Sequence, residues 1–174
     1  MKTILPCLFS VLLFVSCASI QVNYDYDRDV NFSNYKTYNY YADMTTGLSE
    51  LDTRRFLDAL DAQMAIQGYE LSETPDFFID VSSEEYHQTN NSSFGIGLGG
   101  TGRNVGGGVS IGVPVGQGNV NRRIKVEFVD ENKKQLFWQA ISESNFKPQD
   151  TPENRETLFN AIVTKMLSEY PPKP

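Results

Sequence analysis

Few residues of this chain have the types and spacing that catalysis requires. His87 is the only histidine among 174 residues, so a cluster of histidine ligands or a mechanism with several histidines is excluded. The sequence also lacks a Gly-x-Ser-x-Gly turn, which would present a nucleophilic serine. His87 follows Glu84 and Glu85 closely and can at most supply a single base; we interpret it as the polar end of a strand. We predict no catalytic residue and no enzyme.

Two patterns resemble ligand sites only superficially. Asp25, Asp27 and Asp29 alternate as in a calcium loop, but the glycine and the distal glutamate of an EF-hand are missing, so we interpret them as solvated turn acids. The segment that starts at Gly95 has the spacing Gly-x-Gly-x-x-Gly of a dinucleotide site. Its glycine density continues where a helix should begin, and no acid follows about twenty residues later. We therefore predict no metal and no cofactor.

The N-terminal segment predicts a covalent modification. Lys2 precedes an apolar run from Ile4 to Phe14, which is too short to span a bilayer, and Cys17 follows Ser16. A basic start, a short apolar core and small residues at the cleavage point are typical of a secretory signal, and a cysteine after that point marks the bacterial lipoprotein type. We predict a signal peptide at 1–16, a palmitate-bearing Cys17 and a tether at 17–21.

Two other interpretations of this segment stay open. Phe14 stands where a lipoprotein signal usually has leucine, which leaves room for an ordinary signal-peptidase site near Ser16 or Ala18. An N-terminal core helix is the third interpretation. Because no acid directly follows Cys17, the lipoprotein interpretation predicts an outer-membrane location facing the periplasm. The net charge of −7 argues against a nucleic-acid partner.

Hydrophobic periodicity predicts the elements of a single domain at 22–170, with a tail at 171–174. Strands are predicted at 20–26, 35–41, 77–86, 124–128 and 135–143, the last two as a hairpin with one wet face. A first helix should start at Ser49 and end at Gly68, and a second should start at Thr151 and end before Pro171. The order predicts an α+β fold: a single-layer antiparallel or mixed sheet of about five strands with two amphipathic helices on one face.

Eleven of the thirteen glycines lie at 95–118. In this insertion, 94–118, bulky apolar residues alternate with small ones in two halves, which predicts a glycine-rich hairpin extension. A two-stranded ribbon is marginal in water, so it should fold back, remain partly disordered, or bury its apolar face against a partner or lipid. The possible partner-binding residues are Phe94, Ile96, Leu98, Val109, Ile111 and Val113.

Aromatic residues concentrate near the N-terminus and permit a second interpretation. A carbohydrate or peptide groove is conceivable there, although tyrosine is also favoured in strands for structural reasons, which is the interpretation we prefer. The residues are Tyr24, Tyr26, Phe32, Tyr35, Tyr38, Tyr40 and Tyr41.

Three blocks of sequence carry a family resemblance that covers nearly the whole chain after the signal. They read YDYD and FSNYKTY at 24–27 and 32–38, GY and PDF at 68–69 and 75–77, and VEFVD and LFW at 126–130 and 136–138. Together they resemble a bacterial envelope lipoprotein family known only as a domain of unknown function. The resemblance implies a small α+β domain and supplies no catalytic residues, and Tyr40 or Tyr41 stands where members commonly have tryptophan.

The sequence thus predicts a lipid-anchored, non-catalytic periplasmic domain that is an accessory or binding subunit in the cell envelope. Its membrane contact would be the lipid on Cys17, and an envelope protein would be its partner. The alternative is a lipoprotein that binds a small ligand or glycan through its tyrosine-rich strands. An enzyme with an unrecognised carboxylate pair ranks below both.

Overall fold

The computed structural model describes residues 20–87 and 120–172. Its elements are β1 (Gln21–Tyr26), β2 (Thr37–Tyr40), α1 (Glu50–Ile66), β3 (Glu70–Leu71), β4 (Phe77–His87), β5 (Val120–Asp130), β6 (Leu136–Asn145) and α2 (Pro152–Met166). Single turns of 3-10 helix occur at Phe32–Asn34 and Leu167–Glu169. Cys17, the predicted hairpin at 94–118 and its six possible partner-binding residues lie outside the described residues.

The strands form one mixed sheet in the order β1-β6-β5-β4-β2-β3. The pairs β1–β6, β6–β5 and β5–β4 are antiparallel, whereas β2 lies parallel to both β4 and β3. The predicted α+β class is confirmed, but the described residues contain six strands instead of about five. The additional strand, Glu70–Leu71, has only two residues, so it has no periodicity that a sequence pattern could reveal.

One face of the sheet holds the core and the other is wet. Along β5, Ile124, Val126 and Phe128 are buried, while Arg123, Lys125 and Glu127 are half-buried on the opposite face, as their alternation predicts. The core side is covered by α1 and α2, whose buried residues belong to the same cluster as those of the sheet. In the described part of the chain, no helix is both long and apolar enough to cross a membrane.

Both helices begin at the predicted caps. The Ser49 hydroxyl accepts a hydrogen bond from the Asp52 amide at 3.2 Å, and the Thr151 hydroxyl accepts one from the Asn154 amide at 3.3 Å. Pro152 occupies the first turn of α2, where its missing N–H costs nothing. Each helix then buries one apolar stripe; Phe56, Leu60 and Met64 do so in α1, and Phe159, Ile162, Val163 and Met166 in α2.

Candidate functional site

A cleft of about 500 Å³ lies where β4 ends and β5 begins, between the N-termini of α1 and α2. Its size falls within the range typical of small-molecule sites. Its wall combines charged side chains with apolar ones, and its lining residues are Gly47, Ser49, Leu51, Asp52, Arg55, Glu85, Arg122, Phe146, Pro148, Asp150, Pro152 and Arg155.

The centre of the cleft is Asp52, whose side chain is only 2% exposed. Its position in the first turn of α1 is fixed by the Ser49 cap. Arg55 Nη1 donates to Asp52 Oδ1 at 2.9 Å, and Arg155 Nη1 donates to Asp52 Oδ2. Arg122 Nη1 lies 4.0 Å from that second oxygen. Three arginines from α1, β5 and α2 therefore converge on one buried carboxylate.

Arg122 is the most deeply buried of these arginines, with a side chain that is 6% exposed. Its Nη2 donates to the Glu85 carboxylate, but its Nε and Nη1 have no hydrogen-bond partner among the described residues. The Arg122 guanidinium carbon lies 3.6 Å from the centroid of the Phe146 ring. This cation–π contact covers the face of the guanidinium but offers its N–H groups no hydrogen-bond acceptor. A buried donor without an acceptor costs about 1–3 kcal/mol of stability. Such a donor in a native structure therefore requires an explanation.

Arg155 holds the loop between β6 and α2, which lines the cleft. Its Nη2 donates to the Pro148 carbonyl at 2.5 Å, its Nε donates to the Asp150 carbonyl at 3.4 Å, and its guanidinium lies 5.3 Å from the Phe146 ring. Asp150 itself is bound elsewhere: Asn154 donates to its carboxylate at 2.7 Å and holds the pKa of Asp150 below its usual value. Asp150 also lines the cleft, and the positive charge of the nearby Arg155 helps to lower the pKa of its carboxyl.

The charged side chains that line the cleft are balanced. Among the described residues, three guanidinium groups face three carboxylates, those of Asp52, Glu85 and Asp150, and Glu85 is 48% exposed. The N-termini of α1 and α2 add their partial positive charge at the same place. Arginine donors in a partly buried cleft are suited to binding an oxyanion, because their planar forks match carboxylate and phosphate oxygens.

The tyrosine-rich strands do not form an open groove. Tyr35 and Tyr38 are 5% and 2% exposed, and their hydroxyls donate to Asp130 at 2.7 Å and Asp61 at 2.8 Å. Tyr40 donates to the same Asp61 oxygen at 2.6 Å. Burial, reinforced by these hydrogen bonds, raises the pKa of all three phenols. The placement of these three residues agrees with the structural interpretation that we prefer, because their rings pack in the core on the helix side of the sheet.

Three other candidate residues, Asp27, Glu84 and Glu85, have structural partners. Asp27 accepts a hydrogen bond from the Asp29 amide at 2.9 Å, as expected of a turn acid. Glu84 contacts Arg123 at 2.6 Å on the wet face, whereas Glu85 contacts Arg122 in the cleft. His87 is the last residue of β4. Residues 20–87 and 120–172 contain no group of three histidine, cysteine, aspartate or glutamate residues placed to hold a metal ion.

The sequence did contain a signal for the cleft that local motifs do not capture. Arg122 is in phase with the buried Ile124, Val126 and Phe128 of β5, where a charged residue is unexpected. Asp52 lies four residues before Phe56, and Arg155 four before Phe159, so both extend the apolar stripe of their helix. Charged residues in the buried phase of three separate elements indicate a shared polar site.

Fold and cleft together define the class of protein: a small α+β domain with a mixed sheet, two helices on one face and an arginine-lined cleft at one end of the sheet. The chain belongs to the family described as Domain of unknown function (DUF4136), whose model matches residues 22–172. No curated protein matches the chain significantly.

Solved structures are similar to this chain at low sequence identity. A PDZ domain protein from Parabacteroides distasonis is 14% identical with a TM-score of 0.54, over 90% of this chain and 38% of that chain. This chain thus spans well under half the length of that protein. Dodecamers of PelC from Paraburkholderia phytofirmans, in two crystal forms, are 12% identical with a TM-score of 0.44, over 86% of this chain and 95% or 96% of theirs.

Proposed function

We propose that this chain is a non-catalytic, lipid-anchored binding domain of the bacterial cell envelope, with the arginine-lined cleft as its ligand site. The observation that supports a binding role is Arg122, a buried cation in a cleft with two nitrogens that lack a partner among the described residues. Among the described residues that line the cleft there is neither cysteine nor histidine, and their one serine, Ser49, caps α1. Such a wall favours recognition over nucleophilic chemistry.

The proposed anchor would hold the cleft close to the membrane. Cys17 is three positions before Ile20, so an extended chain would place the two within roughly 11 Å of each other. In the sheet, Gln21 pairs with Glu143, Glu143 with Arg123, and Arg123 with Glu84. The start of β1 and the cleft therefore lie at the same end of the sheet. This placement suits an accessory subunit at the periplasmic face of the outer membrane.

The anchor is tested by replacing Cys17 with serine in cells, with Cys7→Ser inside the predicted signal peptide as the matched control. We expect wild type and Cys7→Ser to fractionate with membranes and to incorporate a palmitate analogue. Cys17→Ser should lose both properties. Membrane fractionation and label retained by Cys17→Ser would contradict the proposed anchor.

A further inference from the structure

We propose that the arginine-lined cleft binds the phosphate group of a phosphate ester, either a soluble compound or a phospholipid headgroup. This inference deepens the proposed function by naming the ligand chemistry of the same site. It depends on the side chains around Asp52 and not on the lipid anchor, although the anchor would determine which source of phosphate the cleft meets.

The arrangement of the arginines favours a phosphate over a carboxylate. Arg55, Arg122 and Arg155 come from three different elements, and all three line the cleft. A phosphate group offers oxygens in several directions, whereas a carboxylate offers two oxygens in one plane. Asp52, which already receives Arg55 and Arg155, keeps these two guanidinium groups in place without satisfying Arg122.

The Arg122 nitrogens that lack a partner among the described residues supply the second, independent indication. The Arg122 side chain is more than nine-tenths buried, and Arg122 is one of the residues that line the cleft. Ser49 and Thr151 cap the two helices whose N-termini border this wall, so partial positive charges converge there as well. A bound phosphate would accept hydrogen bonds from these guanidinium groups.

The apolar part of the wall indicates an ester instead of a free anion. Phe146, Pro148 and Pro152 line the cleft beside the arginines, and Leu51 is 59% exposed at its border. A cavity of about 500 Å³ exceeds what inorganic phosphate needs and leaves space for an organic group. The ligand would thus place its phosphate against Arg122 and its organic part against Phe146 and Leu51.

The test measures binding to the purified full chain by titration calorimetry. The probes are inorganic phosphate, glycerol 3-phosphate and dihexanoylphosphatidylglycerol below its micellar concentration, with the phosphate-free glycerol for comparison. We expect glycerol 3-phosphate to bind more tightly than inorganic phosphate, and glycerol not to bind. Tighter binding of the phosphatidylglycerol than of glycerol 3-phosphate would identify a lipid as the source, and equal or weaker binding would identify a soluble ester. Absence of binding by all three phosphate probes would overturn the proposal.

Two variants make the test specific. Arg122→Gln should weaken binding at least tenfold, because it removes the buried donors. Arg123→Gln removes the same charge from the next residue, which contacts Glu84 and Glu143 on the opposite face, and should bind like wild type. Equal losses in both variants, or none in Arg122→Gln, would overturn the proposal.

Folding and anchoring failures remain distinguishable from failure of the cleft. Should Arg122→Gln not fold, Arg55→Gln replaces it, since the Arg55 side chain is 23% exposed and tolerates change better. Its expected loss is smaller but in the same direction. The calorimetry uses purified protein, so a failed anchor leaves it unchanged, and a failed cleft leaves the fractionation of Cys17→Ser unchanged.

Discussion

At the scale of single residues, Asp76 shows how one carboxylate oxygen joins two strands. Its Oδ2 accepts hydrogen bonds from the Lys36 amide at 2.8 Å, the Thr37 amide at 2.9 Å and the Thr37 hydroxyl at 3.0 Å. Asp76 directly precedes β4, and Thr37 begins β2. Burial alone would raise the pKa of Asp76, but the three hydrogen bonds together lower it below its usual value.

Asp76→Asn should therefore make the protein less stable at neutral pH but not in acid. A lowered folded-state pKa stabilises above the unfolded value, near pH 4, and this contribution is lost as the pH falls through the folded pKa. We expect the variant to lose about 1–3 kcal/mol of unfolding free energy at pH 7, and the difference to shrink below about pH 4. Urea unfolding at neutral pH and below about pH 4 measures this difference in unfolding free energy between variant and wild type. The exposed Asp43→Asn is the control, and an Asp76→Asn deficit that is independent of pH would refute this account.

At the scale of elements, two glycines permit turns for different reasons. Gly47, in the loop before α1, has φ of +70°, and a Cβ there would lie 2.5 Å from the Ser83 carbonyl oxygen. Gly68, just after α1, has φ of +85°, but a Cβ would meet no atom within 4 Å. Both positions favour glycine by conformation, and only Gly47 also needs it for space.

This difference predicts unequal effects of the same substitution. Gly68→Ala should cost about 1–2 kcal/mol, the strain of a left-handed residue with a side chain. Gly47→Ala adds a clash with the backbone of β4, so we expect a loss at least about 1 kcal/mol larger and a disturbed cleft. Chemical denaturation of the two variants side by side tests the comparison. Equal losses would mean that the loop before α1 moves away from Ser83 without cost.

The elements also show how far the sequence could be interpreted. Ser49, Thr151 and the apolar stripes were predictable because caps and helical periodicity are local. The burial of Phe137 was not predictable from strand alternation. The register between β5 and β6 shifts between Phe128 and Val129, and this irregularity leaves both Phe137 and its neighbour Trp138 buried. The cleft was not predicted either, since Asp52, Arg122 and Arg155 meet only after the sheet has formed.

At the scale of the whole molecule, aromatic contacts connect the elements into one core. Phe137 stacks on Tyr35 with centroids 4.2 Å apart, and Phe128 lies 4.5 Å from Trp138. Tyr170, after α2, contacts both Phe128 and Trp138. Because loops, strands and the chain after α2 share these rings, loss of packing in one place should be transmitted to all of them.

We therefore expect a single cooperative unfolding transition. Trp138 is the only tryptophan and is fully buried, so its fluorescence reports on the core while far-ultraviolet circular dichroism reports on the backbone. Their urea transitions should coincide in wild type. In Phe137→Ala both transitions should report the same loss of unfolding free energy, about 3–5 kcal/mol. The neighbouring Leu136, which is 40% exposed, provides the matched control, and Leu136→Ala should shift both by much less. Separate midpoints for fluorescence and dichroism would show that the helices and the sheet unfold independently, which a shared aromatic core does not permit.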